Sequence, residues 1–174
     1  MRRIEFFIEE SKYHTQKAIF GLCDDDNNLP AYIDEEVANK ESKWIGEIHN
    51  ASLKGIDFYP VDHCVELLRE DKSQAKRCEG ILRFDVNNIV FTELKNRKII
   101  PSDWLKDAEE QIMETMSFFF DNNALQSFKT KSWVCNKQLT NQNYFQQIAE
   151  FKEKTKHKFG GRGFVLYIRK SIEV

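Results

Sequence analysis

Cys78-Glu79-Gly80-Ile81-Leu82-Arg83-Phe84-Asp85-Val86-Asn87-Asn88-Ile89-Val90-Phe91-Thr92-Glu93-Leu94-Lys95 reads as two apolar strands, 78–84 and 89–96, closed into a hairpin. Asp85-Val86-Asn87-Asn88 between them is turn chemistry, because Asn tolerates the left-handed backbone that a tight loop requires. The hairpin carries charge where a buried sheet forbids it: Glu79 on the first strand, Glu93 and Lys95 on the second. Such groups are costly at apolar positions unless they are paired or bound to a metal.

Working outward, Pro60 and Asp62 precede Val65, Leu67 and Leu68, a pattern that predicts a short helix with Asp62 as N-cap. Downstream, Pro101-Ser102-Asp103 opens the longest predicted helix, with an apolar stripe at Trp104, Ala108, Ile112, Met116 and Phe119 and an end at Asp121-Asn122-Asn123. Residues 131–135 read as a strand. Residues 141–157 read as an amphipathic helix on Tyr144, Phe145, Ile148, Phe151 and Thr155, and Gly160-Gly161-Arg162-Gly163 turns the chain into a last strand at 164–168. A strand, a long helix and a further strand make a crossover unit, which favours parallel pairing. The expected class is α/β, with a mixed central sheet flanked by helices.

The earlier residues say less. Residues 4–10 look like a strand, 21–30 like a turn-rich loop, and 31–57 have no clear periodicity. With 7 Gly and 3 Pro and no internal repeat, nothing divides the chain, so 1–174 is read as one domain. Within it, 60–170 form the core and 1–59 an N-terminal extension.

The chain has 174 residues, 14 of them Phe, enough for a sizeable core. No run approaches a membrane span, and the start of the chain, broken by Glu5, does not read as a signal peptide, so a cytoplasmic protein is expected. The four cysteines contain no Cys-x-x-Cys pair and are read as reduced thiols, and the four histidines show no zinc-ligand spacing. Asp24-Asp25-Asp26 lacks the remaining positions of a calcium loop and is read as a solvated loop. Net charge is −2, but residues 126–174 hold 10 Lys and Arg against 3 Asp and Glu. That quarter could present a phosphate-facing surface; Lys152, Lys154, Lys156 and Lys158 within it equally fit a solvated helix face.

Two acids could partner Glu93. Asp85 lies at the turn, and at about 3.3 Å per residue Glu93 is roughly 13 Å up the returning strand, too far to share an ion. If the loop is Val86-Asn87-Asn88, Glu79 falls opposite Lys95 and diagonal to Glu93 on the same face; a loop of two or four residues turns it to the other face. Two carboxylates suit Mg²⁺, which takes oxygen ligands and keeps several waters, and the Leu94 carbonyl is a natural further ligand. Lys95 shares the face of Glu93 and can position water or offset charge on phosphorus. A Glu-x-Lys triplet alone is as readily a structural ion pair; the apolar flanks and the acid on the neighbouring strand set this one apart.

With these residues, the segment 60–170 resembles the PD-(D/E)XK nuclease superfamily, the restriction-endonuclease-like fold. That family carries a helix-borne Glu, matched by Glu66, and an acid on one strand, matched by Glu79. Its (D/E)-x-K is matched by Glu93-Leu94-Lys95, and the Gln on its following helix by Gln111. The family usually has Asp where this chain has Glu79, and Pro where it has Cys78. It also has a strand before the acid-bearing one, a place that 4–10 could fill. The resemblance implies Glu66, Glu79 and Glu93 as ligands of Mg²⁺ or Mn²⁺, with Lys95 and Gln111 catalytic. It implies phosphodiester hydrolysis of nucleic acid, DNA being the expected substrate, and cutting both strands of a duplex would suit a homodimer with two sites. The alternative is an inactive nuclease-fold binding module or a partner in a bacterial defence or conflict system.

Overall fold

The structure, a computed structural model, describes residues 4–25, 27–100, 103–122, 127–140 and 142–174. Asp26 of the acidic loop, Pro101 and Ser102 at the expected helix start, Asn123 at its expected end, and Asn141 lie outside the described residues. In chain order the strands are β1 (Tyr13–Thr15), β2 (Ile19–Cys23), β3 (Tyr32–Asp34), β4 (Gly46–His49), β5 (Ile56–Pro60), β6 (Gly80–Phe84), β7 (Asn88–Lys95), β8 (Lys129–Asn136), β9 (Val165–Ile168) and β10 (Ser171–Glu173). The helices are the single turn α1 (Lys40–Lys43), α2 (Asp103–Asn122) and α3 (Phe145–Lys158). The class is α/β with mixed sheets and helices, as expected.

Six strands form the main sheet in the order β1-β5-β6-β7-β8-β9. Strands β5, β6 and β7 run as an antiparallel meander, while β7, β8 and β9 are parallel, joined through α2 and α3. Strand β7 lies between β6 and β8 and has both faces covered, which is why its sequence is a near-continuous apolar run. Its odd-numbered residues Ile89 and Phe91 join Ile81, Val134 and Leu166 beneath α2, whose stripe Trp104, Ala108, Ile112, Met116 and Phe119 is buried as read from the sequence. Its even-numbered Val90 and Leu94 join Phe58, Leu82 and Trp133 on the opposite face. There they meet Phe20, Leu22, Ile48 and Ile172 from a second sheet, ordered β10-β4-β2-β3. The main sheet is therefore sandwiched between helices and a smaller sheet.

The expected boundary after residue 59 falls at the end of β5, inside the main sheet, and residues 13–49 supply strands to both sheets. The described part of this segment is thus built into the core and does not form an appendage. Residues 4–8 are not a strand. Phe6 and Phe7, adjacent in sequence, both place their rings on Phe119, at 5.2 and 5.8 Å, whereas a strand would send them to opposite faces. The helix expected over 62–68 is also absent. His63 adopts φ +62°, which stops helical propagation after one turn, and the chain runs on irregularly to an isolated bridge between Leu68 and Gln74. In α3, Phe151 and Thr155 are buried but Phe145 is 78% exposed, so the apolar stripe engages only in its second half. All four cysteines are free thiols. Among the described residues no helix is long and apolar enough to cross a membrane.

Gly80, the first residue of β6, lets β5 come close: a Cβ there would lie 2.5 Å from the Phe58 ring and 2.7 Å from the Tyr59 carbonyl oxygen. Gly80→Ala is expected to destabilise the protein by about 1–3 kcal/mol through overpacking. Denaturant midpoints check this, and an unchanged midpoint would mean that β5 can withdraw freely.

Candidate active site

The pairing of Phe84 with Asn88 makes the hairpin loop Asp85-Val86-Asn87, three residues long but one position earlier than expected. The parity is preserved, so Glu79 keeps its expected face, but it now stands level with Glu93 instead of Lys95. Gly80 pairs with Thr92, and the next rung up is Glu79 against Glu93, where the Glu79 N–H donates to Glu93 Oε2 at 3.2 Å. Asp85 lies at the far end of β7 with φ +54°, where it accepts from Lys54 Nζ at 3.2 Å and Asn88 Nδ2 at 3.1 Å. The geometry thus favours Glu79 as the strand acid.

Glu93 and Lys95 continue the odd-numbered face of β7 toward α2. Lys95 Nζ lies 2.7 Å from Glu93 Oε1 as an ion pair, off the line of a hydrogen bond, and Glu93 is completely buried. From α2, Gln111 Oε1 accepts from Lys95 Nζ at 2.6 Å and Asp107 Oδ2 accepts at 3.3 Å. Gln111 is itself fixed, because its Nε2 donates to the Arg77 carbonyl at 3.0 Å. The ammonium is therefore held from three directions. Gln111 was legible in the sequence. Asp107, one helical turn before it on the same face, could have been found by that spacing.

Glu79, Lys95 and Gln111 border a polar pocket of about 240 Å³, lined also by Asp24, Asp62, His63 and Arg97. Glu66 does not line it; the residue is exposed on the irregular segment, and Asp62 stands at the pocket instead. Asp62 does not cap a helix. Its carboxylate is shared between Arg77 Nη2 at 2.9 Å and His63 Nε2 at 3.2 Å. Asp24 reaches the pocket from the end of β2, a placement that no local pattern in the sequence announces. Lys152, Lys154, Lys156 and Lys158 do not line the pocket; Lys154 instead pairs with Glu109 of α2 at 3.1 Å.

Burial pushes the Glu79 carboxyl up to about 9, helped by the carboxylates of Glu93, Asp24 and Asp62. Burial likewise raises Glu93 to about 7, with Lys95 partly offsetting it. Burial acts to lower Lys95, yet the carboxylates of Glu93 and Asp107 hold it above its ordinary value. Two adjacent carboxyls that resist ionisation are a place where a divalent cation can replace a proton.

The donor set fits a hard cation. The Lys95 carbonyl accepts from Lys137 N–H, toward β8, so by strand alternation the Leu94 carbonyl points the other way, to the side where β6 has ended. Leu94 also lines the pocket. Among the described residues, no three His, Cys, Asp or Glu side chains gather as a ready-made metal cage. Two carboxylates and a carbonyl leave room for the waters and substrate oxygens that Mg²⁺ retains.

No family model, curated protein or solved structure matches this chain.

The raised Glu79 has a consequence for stability. Its folded value of about 9 lies above the ordinary 4.5, so the stability linked to its proton is complete below pH 4.5 and is lost as pH rises through 9. Glu79→Gln has no such loss. Without divalent ions, the variant's Tm relative to wild type is expected to increase from pH 5 to pH 9. Equal differences at both pH values would mean that the carboxyl is solvated.

Proposed function

We propose that this chain hydrolyses phosphodiester bonds of nucleic acid, DNA being the expected substrate, with Mg²⁺ or Mn²⁺ at a PD-(D/E)XK-like site. The observation that carries the reading is the buried Glu93–Lys95 pair with Glu79 level on the adjacent strand, at the edge of a polar pocket. The order β5-β6-β7-α2-β8, three antiparallel strands followed by a crossover to a parallel one, supports a restriction-endonuclease-like core. In that reading β5, not residues 4–10, fills the strand before the acid-bearing one.

Glu79 and Glu93, with the Leu94 carbonyl, would hold the cation, which supplies Lewis-acid polarisation of a phosphate oxygen and a more acidic water. Lys95 points its ammonium beside Glu93, where it orients the attacking water and offsets negative charge on the phosphate. Gln111 and Asp107 position Lys95. The absence of Glu66 from the pocket favours a second reading, a nuclease-fold binding module that has lost part of its ligand set.

Titration of Mn²⁺ into the protein with a non-cleavable oligonucleotide separates the two. Binding by wild type that Glu93→Gln abolishes is the expected result. A well-folded wild type that takes up no metal, with or without the oligonucleotide, would leave the binding-module reading.

A further inference from the structure

The pocket has a second built feature at its mouth, in the two residues that follow Lys95. Asn136, the last residue of β8, is completely buried, yet its amide is spent on the backbone of an exposed residue. Its Oδ1 accepts from the Arg97 N–H at 3.3 Å and its Nδ2 donates to the Arg97 carbonyl at 2.9 Å. The same Oδ1 accepts from the Gln138 N–H at 3.0 Å, and Gln138 Nε2 donates to Asn96 Oδ1 at 3.3 Å. Lys137 N–H to the Lys95 carbonyl at 2.8 Å completes the tie. Burying an amide is tolerated only when its hydrogen bonds are made, so this loop is held to one geometry.

What the loop presents is a guanidinium. Arg97 lines the pocket with its side chain 63% exposed, and its nearest ion-pair partner, Asp107, is 4.0 Å away. Lys95 beside it is committed to Glu93, Gln111 and Asp107. Asp24, Asp62 and Glu79, all carboxylates, also face the cavity. A polyanion approaching such a pocket meets the acids Asp24 and Asp62, and Arg97 is the exposed cation at its mouth. A planar guanidinium with free donors suits a phosphate that it can grip bidentately.

We propose that Arg97 is a phosphate-binding residue, contacting a backbone phosphate of a nucleic-acid strand next to the one placed at Glu79, Glu93 and Lys95, with Asn136 positioning it. This rests on the nucleic-acid reading of the same pocket. Phosphate contacts of this kind fix the register of a strand without reading its bases.

The test is binding of a fluorescein-labelled single-stranded oligodeoxynucleotide in Ca²⁺, followed across salt concentrations, for wild type, Arg97→Ala, Arg97→Lys and Lys54→Ala. Loss of one phosphate contact lowers the slope of log affinity against log salt by about 0.7 for a single strand. Arg97→Ala is expected to weaken binding about tenfold at low salt and to lose that part of the slope. Arg97→Lys should keep most of the slope, because the charge remains. Lys54→Ala removes an equal charge at the opposite end of the hairpin, beside Asp85, and is expected to leave the slope as it is. Equal affinity and slope for Arg97→Ala and wild type would overturn the assignment of Arg97 alone. Equal losses in Arg97→Ala and Lys54→Ala would overturn it too, as an effect of net charge. A wild type that binds no oligonucleotide at low salt would overturn both this proposal and the nucleic-acid reading beneath it.

Discussion

Lys95→Met is expected to cut metal-dependent cleavage severely and, in the metal-free protein, to destabilise the fold by about 3–5 kcal/mol. Both effects come from one ammonium. It sits 2.7 Å from a completely buried Glu93 carboxylate, and without it that carboxylate has lost its compensating charge in a low-dielectric site. Removing one partner of a buried pair costs far more than replacing both, so Glu93→Gln/Lys95→Met should regain most of the lost stability while remaining inactive. The single variant also has a pH signature. Losing Lys95 raises Glu93 further above its ordinary value, so the destabilisation grows as pH rises from 5 to 8. Loss of an electrostatic stabiliser of this type lowers turnover by about 100- to 1,000-fold. Urea denaturation of the four proteins in the cycle, with cleavage assays alongside, reads both. A Lys95→Met protein that cleaves like wild type would end the nuclease mechanism. One that keeps full stability at pH 8 would mean that in the wild type Glu93 carries no charge there for Lys95 to offset.

Phe119→Ala is the largest expected loss that leaves the site chemistry intact, about 3–5 kcal/mol. The Phe119 ring is fully buried and meets five others, Phe6, Phe7, Phe91, Phe120 and Phe128, at centroid distances of 5.2 to 5.8 Å, all five contacts lying near edge-to-face. It joins three parts of the chain: the N-terminal segment, the helix face of β7, and the approach to β8. Truncation leaves a cavity that these rings cannot all close. Gln111 is eight residues away on α2, roughly 12 Å at 1.5 Å per residue, so Mn²⁺ uptake should survive. A loss below about 1.5 kcal/mol would show that the aromatic cluster collapses into the space.

The α2 stripe was readable because five apolar residues at helical spacing have one face to bury, and all five are buried. The hairpin was readable because Asn and Asp close two apolar runs, although its loop began one residue earlier than read, at Asp85, which tolerates φ +54°. That slip kept Glu79 on its face while moving it from Lys95 to Glu93, since register errors of two leave strand parity unchanged. The second sheet escaped notice because β2, β3, β4 and β10 are three to five residues long, shorter than any period can establish.

The helix expected at Asp62 failed for a different reason. Asp62 is as good a salt-bridge acceptor as a cap, and Arg77, fifteen residues later, claims it at 2.9 Å. Local preference could not weigh that long-range partner.

By itself the sequence determined the chemistry of one strand, the helix beyond it, and the face on which Glu93, Lys95 and Gln111 meet, because each depends on spacing along a regular element. Only the tertiary structure decided that residues 13–49 supply strands to both sheets, that Glu66 stays outside the pocket, and that Asp24, Asp62 and Arg97 line it. Those placements follow from contacts between segments far apart in the chain, where no periodicity records which partner a side chain will meet.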